Sequence, residues 1–230
     1  MAEKKESRYD NRNQLNDLTG KEWLKLTKSF FLSEKCVDDK DAYKHPAPFL
    51  IKDIEKMISF FTKKGMIVLD PFMGSGTTAI AAYNLQRRSI GIDLSQEYKN
   101  LAQERFAKKY MIENEDYNYI VGDALLKLQD IDAVDYIITS PPYHNILKND
   151  SKGLRKDSSA KGFRSGSRIG VDYYSDDKRD LGNQETYQDF LNLLKKIMKK
   201  CYAKLKNKKY CSIVKVILRS IKKRFVCSLI

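Results

Sequence analysis

The chain has little of what builds a metal centre or a disulfide-stapled fold: among 230 residues only four are cysteine and two histidine. Cys36, Cys201, Cys211 and Cys227 form no C-x-x-C pair and have no histidine at zinc spacing, so reduced, half-buried thiols are expected, with neither metal nor disulfide. No apolar run reaches membrane-spanning length, and the opening "MAEKKESRYD" lacks the apolar core of a secretion signal, which points to a cytoplasmic protein. Acidic residues are outnumbered, 30 against 43 Lys and Arg, for a net charge of +13 and an isoelectric point near 9.4. That balance favours an anionic partner such as nucleic acid without proving one. At 42% hydrophobic content the length suits one sizeable α/β core and is short for two. Proline is scarce, five in all, so the adjacent pair Pro141-Pro142 calls for a reason.

Residues 1–17 are polar and read as a flexible tail ahead of a single domain over 18–230. Thr19 and Glu22 have capping-box spacing before "WLKLTKSFF", which predicts a short helix presenting Trp23, Leu24 and Leu26. From Pro48 the apolar positions Leu50, Ile51, Ile54, Met57, Ile58 and Phe61 recur at helical spacing, with Gly65 as the stop. Beyond it, short apolar runs at 66–70, 89–94, 117–123, 134–140 and 210–218 read as strands. Helical patterns at 76–87, 95–112 and 184–206 separate most of them. That alternation predicts a doubly wound, mostly parallel sheet, whose ligands sit beyond the carboxyl ends of its strands.

The chemistry-bearing residues stand at those ends. The first strand runs into "LDPFMGSGTTA", where Gly74 and Gly76 allow a tight turn and Asp70 puts a carboxylate at the strand tip. Gly74-x-Gly76-x-x-Ala79 satisfies a permissive dinucleotide fingerprint, but a carboxylate there would repel a pyrophosphate and favour a cationic or zwitterionic ligand. Asp93 ends the second strand, where it can accept both hydroxyls of a ribose, and Asp123 ends the third within reach of an adenine edge. Each aspartate alone is as readily a turn cap; three at successive strand ends are harder to dismiss.

The fourth strand ends in "TSPPY", residues 139–143. Two prolines fix φ and remove two N–H donors, so the chain leaves the sheet stiff, with the Ser140 and Pro141 carbonyls as acceptors. An exocyclic amino group of cytosine or adenine is a donor that suits them. Hydrogen bonds to its protons draw the nitrogen toward tetrahedral, nucleophilic geometry, and Tyr143 can stack on a base that has left the duplex.

Together "DPFMGSGTT" and "TSPPY" resemble the cofactor and catalytic motifs of bacterial amino-group DNA methyltransferases, the N4-cytosine and N6-adenine family that uses S-adenosylmethionine. The likeness runs from about Leu18 to about Val216 and includes "HPAPF" before the first strand. It implies a class I, Rossmann-like methyltransferase fold. By position, Asp70, Phe72, Gly74, Ser75, Gly76 and Thr77 would wrap the methionine end of the cofactor, Asp93 the ribose and Asp123 the adenine, with His45 and Pro46 nearby. Ser140, Pro141, Pro142 and Tyr143 would hold the target base. Serine rather than aspartate at position 140 is, within the family, more typical of cytosine N4 methylation, although a hydroxyl can meet either base.

Residues 144–183 are Gly- and Ser-rich and carry Lys148, Lys152, Arg155, Lys156, Lys161, Arg164 and Arg168, which reads as a DNA-contacting loop, with a solvated linker as the alternative. After the fifth strand a class I methyltransferase has further strands, including an antiparallel hairpin, whereas only "RSIKKRFVCSLI" follows Leu218. The expectation is a truncated sheet with an exposed apolar edge, prone to self-association or completed by a partner. The other expected partners are double-stranded DNA and, in a restriction–modification pair, a companion endonuclease. Two further readings stay open: a nicotinamide oxidoreductase, and an inactive remnant that binds DNA by charge.

Overall fold

Five apolar runs become five strands: β1 (Ile67–Asp70), β2 (Arg88–Asp93), β3 (Tyr117–Val121), β4 (Val134–Thr139) and β5 (Leu205–Ile213). They form one sheet in the order β3-β2-β1-β4-β5, every pairing parallel. The structure is a computed structural model that describes residues 9–28, 31–144, 175 and 177–214. The candidate DNA-contacting residues Lys148, Lys152, Arg155, Lys156, Lys161, Arg164 and Arg168 lie outside the described residues, as do Cys227 and the last sixteen positions, 215–230. Among the described residues β5 pairs with β4 alone.

Helices cover both faces, as a parallel sheet requires. On one face α2 (Ile51–Phe61), α3 (Thr77–Asn84) and α4 (Gln96–Ala107) pack Ile51, Ile54, Ile58, Ile80 and Phe106 against Val68, Tyr119 and Tyr136. On the other, α5 (Ala124–Lys127) and α6 (Tyr187–Lys204) close over Leu69, Ile92 and Ile137 with Leu128, Ile197 and Cys201. The chain crosses to the second face between β3 and β4, so strand order reverses between β1 and β4. That switch point opens a crevice at the carboxyl ends of the strands.

Three expectations need correction. The capping box forms as read, with α1 at Gly20–Leu26, but α1 buries no residue. Residues 9–17 of the expected tail are among the described residues. Asn16 is fully buried and donates to the Phe60 carbonyl at 2.7 Å, so a polar side chain, rather than an apolar one, fastens the segment to the end of α2. Second, α2 stops at Phe61, before Gly65. Arg87, itself buried, donates to the Thr62 hydroxyl at 3.0 Å and to the Thr62 carbonyl at 2.7 Å, which caps the helix end there. Gly65 instead takes φ +77° in the turn that leads into β1. Third, β5 starts at Leu205 and not at 210. Val134 pairs with Leu205 and Tyr136 with Tyr210, so β5 bulges between them, with Lys208 in the left-handed region at φ 58°. The bulge brings Lys206 to 3.0 Å and Lys209 to 3.9 Å from the carboxylate of Asp135, which is 7% exposed. A buried charge at the start of β4 thereby gains partners.

Candidate active site

Asp70 does not present its carboxylate to the crevice. It is 1% exposed, with one oxygen accepting from the Thr139 hydroxyl at 2.7 Å and the Phe72 amide at 3.0 Å, the other from the Thr78 hydroxyl at 2.6 Å. The residue expected at the methionine end is therefore a buried tie that joins β1, the start of α3 and the last residue of β4. Burial pushes its carboxyl up to about 6 against an ordinary value of 3.8, and the two threonines and the amide only partly offset this. The group binds its proton more tightly folded than unfolded, so its stabilising contribution is full below pH 4 and is lost as pH rises through about 6. The loss comes to roughly 3 kcal/mol at most. Asp70→Asn keeps the shape and cannot ionise. Melting temperatures taken from pH 4.5 to 7.5 should show the variant gaining on the wild type across that window; parallel curves would contradict the assignment.

The glycine-rich loop is held from behind. Arg105 of α4, 3% exposed, donates to the Ser75 carbonyl, to the Ser75 hydroxyl at 3.2 Å and to the Thr77 hydroxyl at 3.1 Å, and its other nitrogen reaches the Asp38 carbonyl at 3.3 Å. Burial lowers its guanidinium to about 10. Gly76, at φ +79°, faces the same helix: a Cβ there would sit 2.5 Å from Phe106 and 2.9 Å from Ala102. Ser75, Gly76 and Thr77 are thus held from the α4 side of the loop and are not among the residues that line the crevice.

The strap over 36–47 does reach it, and Gly74 packs against the histidine that the strap delivers. The strap is pinned to α4 by Lys109–Asp38 at 2.7 Å and Lys108–Asp41 at 2.6 Å, and Asp39 caps it by accepting from the amides of Cys36 and Ile51. It delivers His45 to the crevice, edge-on to Tyr98 at 4.4 Å, with the imidazole so close that a Cβ on Gly74 would meet it at 3.0 Å. Pro46 is buried beneath and is not among the lining residues. Gly74, at φ +51°, donates its amide to Asp93 at 2.8 Å, and Ser95 donates to the other carboxylate oxygen at 2.9 Å. Each oxygen retains a lone pair for a ligand hydroxyl. Burial pushes Asp93 up to about 6 as well, with Asp180 the next carboxylate to raise it. Asp123 caps α5 through the Leu125 amide at 2.8 Å and also faces the opening.

The two predicted halves of the site meet in one open cleft, lined by Phe72, Asp93, Asp123 and His45 together with Ser140, Pro141, Pro142 and Tyr143. Tyr143 is followed by His144, whose Nε2 lies 2.9 Å from the Gln184 carbonyl and whose ring packs on Tyr187 and Phe190. That contact fastens the Pro-Pro tip to the start of α6. The far wall escaped the sequence reading: Ser175, Arg179, Asp180 and Leu181 line the cleft, as do Tyr98 and Ile197. Asp180 occupies a stretch, "DLGN", that reads as loop.

The donor set fits an adenosyl ligand: two strand-end carboxylates for hydroxyl and amino donors, aromatic and proline side chains for a flat ring. Among the described residues no group of three or more His, Cys, Asp or Glu could hold a metal, and no helix is long and apolar enough to cross a membrane.

Residues 2–104 match the family model described as DNA methylase, the N6/N4 group. The orphan methyltransferase M.BamHII of Bacillus amyloliquefaciens is 47% identical over 79 residues, 34% of this chain and 29% of that protein. The type II methyltransferase M2.DpnII of Streptococcus pneumoniae is 38% identical over 103 residues, 45% of this chain and 38% of that one. The match thus spans about a third of the length of these curated relatives. Among solved structures, TrmN from Thermus thermophilus superposes with a TM-score of 0.50 at 18% identity, over 79% of this chain and 43% of its own, a likeness of fold.

Proposed function

We propose that this chain, whose residues 2–104 match the N6/N4 DNA methylase model, uses S-adenosylmethionine to methylate an exocyclic amino group of a DNA base, cytosine N4 before adenine N6, as the modification arm of a restriction–modification system. One observation supports the reading: Ser140, Pro141, Pro142 and Tyr143 line the same cleft as Asp93 and Asp123, the residues proposed for the cofactor.

When bound, the cofactor supplies a methyl group on an electrophilic sulfonium. The protein's own contribution is positioning and polarisation. Asp93 accepts ribose hydroxyls and Asp123 an adenine amino proton. Pro141 and Pro142 carry no N–H, so the turn offers carbonyl acceptors to the target amino group. Hydrogen bonds from its two protons to those carbonyls localise the nitrogen lone pair. The nitrogen so polarised would accept the cofactor's methyl group, with the thioether as leaving group and one amino proton released to solvent. Tyr143 stacks on the target base once that base has left the duplex. Lys148, Lys152, Arg155, Lys156, Lys161, Arg164 and Arg168 would neutralise phosphates, so replacing them should flatten the salt dependence of DNA affinity.

The test is transfer of labelled methyl from S-adenosylmethionine to unmethylated bacterial DNA, with the nucleosides then resolved by mass spectrometry. N4-methylcytosine supports the full proposal, N6-methyladenine overturns the reading of Ser140, and stabilisation by NAD but not by S-adenosylhomocysteine overturns the whole.

A further inference from the structure

The cofactor carries an α-ammonium at its methionine end, and Asp70, the carboxylate expected to face that end, is sealed under the loop by Thr78, Thr139 and Phe72. The acidic residues that line the cleft are Asp93, Asp123 and Asp180. Asp93 and Asp123 stand at the tips of β2 and β3, on the outer side of the crevice. Asp180 comes from the other direction. It stands four residues before Gln184, whose carbonyl is 2.9 Å from His144, the residue after Tyr143. The Gln184 side chain also donates to the Asp180 carbonyl at 3.1 Å, so the segment that carries Asp180 is tied to the residue after the Pro-Pro tip.

The side chain is oriented and buried. It is 4% exposed; one oxygen accepts from the Gly182 amide at 2.8 Å and the other from the Ser175 hydroxyl at 2.7 Å. Each oxygen keeps a lone pair, and neither neighbour carries a charge. The adjacent Arg179 does not supply one: its guanidinium is committed to Asp177, with hydrogen bonds of 2.9 and 3.1 Å from Nε. Among the described residues Asp180 has no cationic partner, which makes its burial costly, and a cation that arrives with a ligand relieves the cost. Burial raises the Asp180 carboxyl above its ordinary value, and Asp180 in turn adds to the rise of Asp93.

We infer that Asp180 is a cofactor-binding residue, the anionic partner of the α-ammonium of the methionine moiety. The inference rests on the proposed S-adenosylmethionine site and assigns one of its contacts.

Two ligands separate the possibilities by calorimetry. S-adenosylhomocysteine has the ammonium; 5′-methylthioadenosine has the adenosine and thioether and lacks the amino-acid end. Asp180→Asn should weaken S-adenosylhomocysteine by about 10-fold or more and leave 5′-methylthioadenosine within about 2-fold, since loss of one charge from a buried charged pair acts on the partner alone. Asp180→Glu should recover part of the loss. Equal weakening of both ligands would mean that Asp180 only shapes the 175–183 wall, and unchanged S-adenosylhomocysteine binding would likewise overturn the assignment. Should Asp180→Asn fail to fold, deaminated S-adenosylhomocysteine on the wild type must show the same loss, or the inference falls. A wild type that binds neither ligand overturns the cofactor reading itself, and this inference with it.

Discussion

Gly76→Ala is expected to destabilise the fold by about 3 kcal/mol or more, the sum of a left-handed backbone cost and overpacking. The residue caps α3 at φ +79°, where a side chain is strained even in open space. The space is not open: the added methyl would lie 2.5 Å from Phe106 and 2.9 Å from Ala102, which are 1% and 0% exposed. Phe106 cannot swing away, because its ring is packed on Tyr117 at 4.4 Å. Against a total stability of about 5–15 kcal/mol for a domain, such a loss is severe. Urea melts of the single variants and of Gly76→Ala with Phe106→Leu supply the check. The smaller partner should recover part of the loss, giving a coupling of about 1 kcal/mol. Strict additivity would show that contact with α4 is not what fixes glycine at 76.

This prediction marks a boundary between what was legible in the sequence and what was not. The pattern "GSG" announces a turn, and its position after an apolar run places the turn at a strand end. The two glycines nevertheless serve different neighbours. Gly74 makes room for His45 beside the cleft, whereas Gly76 makes room for α4 on its far side. A local motif reports that Cβ is excluded; it does not report by what. The same holds for Asp70. Its place at a strand tip suggests a ligand carboxylate, but Thr139 lies 69 residues away in sequence, and only the parallel pairing of β1 with β4 brings its hydroxyl to 2.7 Å. Arg105 was invisible for a related reason, being one cation in a helix full of charge until the fold turns it inward onto Ser75 and Thr77.

The strands themselves were legible because both faces of a parallel sheet are buried, which leaves short, continuous apolar runs. The strand-tip residues Asp93, Asp123, Ser140 and Tyr143 then follow from topology, since a switch point collects the carboxyl ends of adjacent strands. The wall around Asp180 was not legible. It carries no periodicity, and it acquires its place through the His144 contact and the packing of α6. The bulge of β5 is similar: "LKNKK" looks too polar for a strand, and it pairs because Asp135 is buried opposite it.

Tyr143→Ala is expected to lower methyl transfer by about 100-fold, from a base-stacking contribution of about 1–3 kcal/mol together with lost orientation. Affinity for S-adenosylhomocysteine should change by no more than about 2-fold, since the proposed cofactor contacts lie on other residues. The backbone at this point is also held on both sides of the tyrosine. Pro141 and Pro142 fix it on one side. On the other, His144 is fastened to the Gln184 carbonyl at 2.9 Å and packed 5.8 Å from Tyr187 and 5.7 Å from Phe190. Truncation at 143 therefore removes a stacking surface and leaves the turn in place. Tyr143→Phe separates stacking from hydrogen bonding: it keeps the ring and should retain activity within about 10-fold. A duplex with 2-aminopurine at the target position adds a readout that a merely structural defect would not move. Extrusion of the base raises its fluorescence, and an aromatic stack quenches it, so the alanine variant should give a brighter complex than the phenylalanine variant. Equal loss of transfer in both variants would assign the role to the hydroxyl, and full activity in the alanine variant would remove Tyr143 from the site.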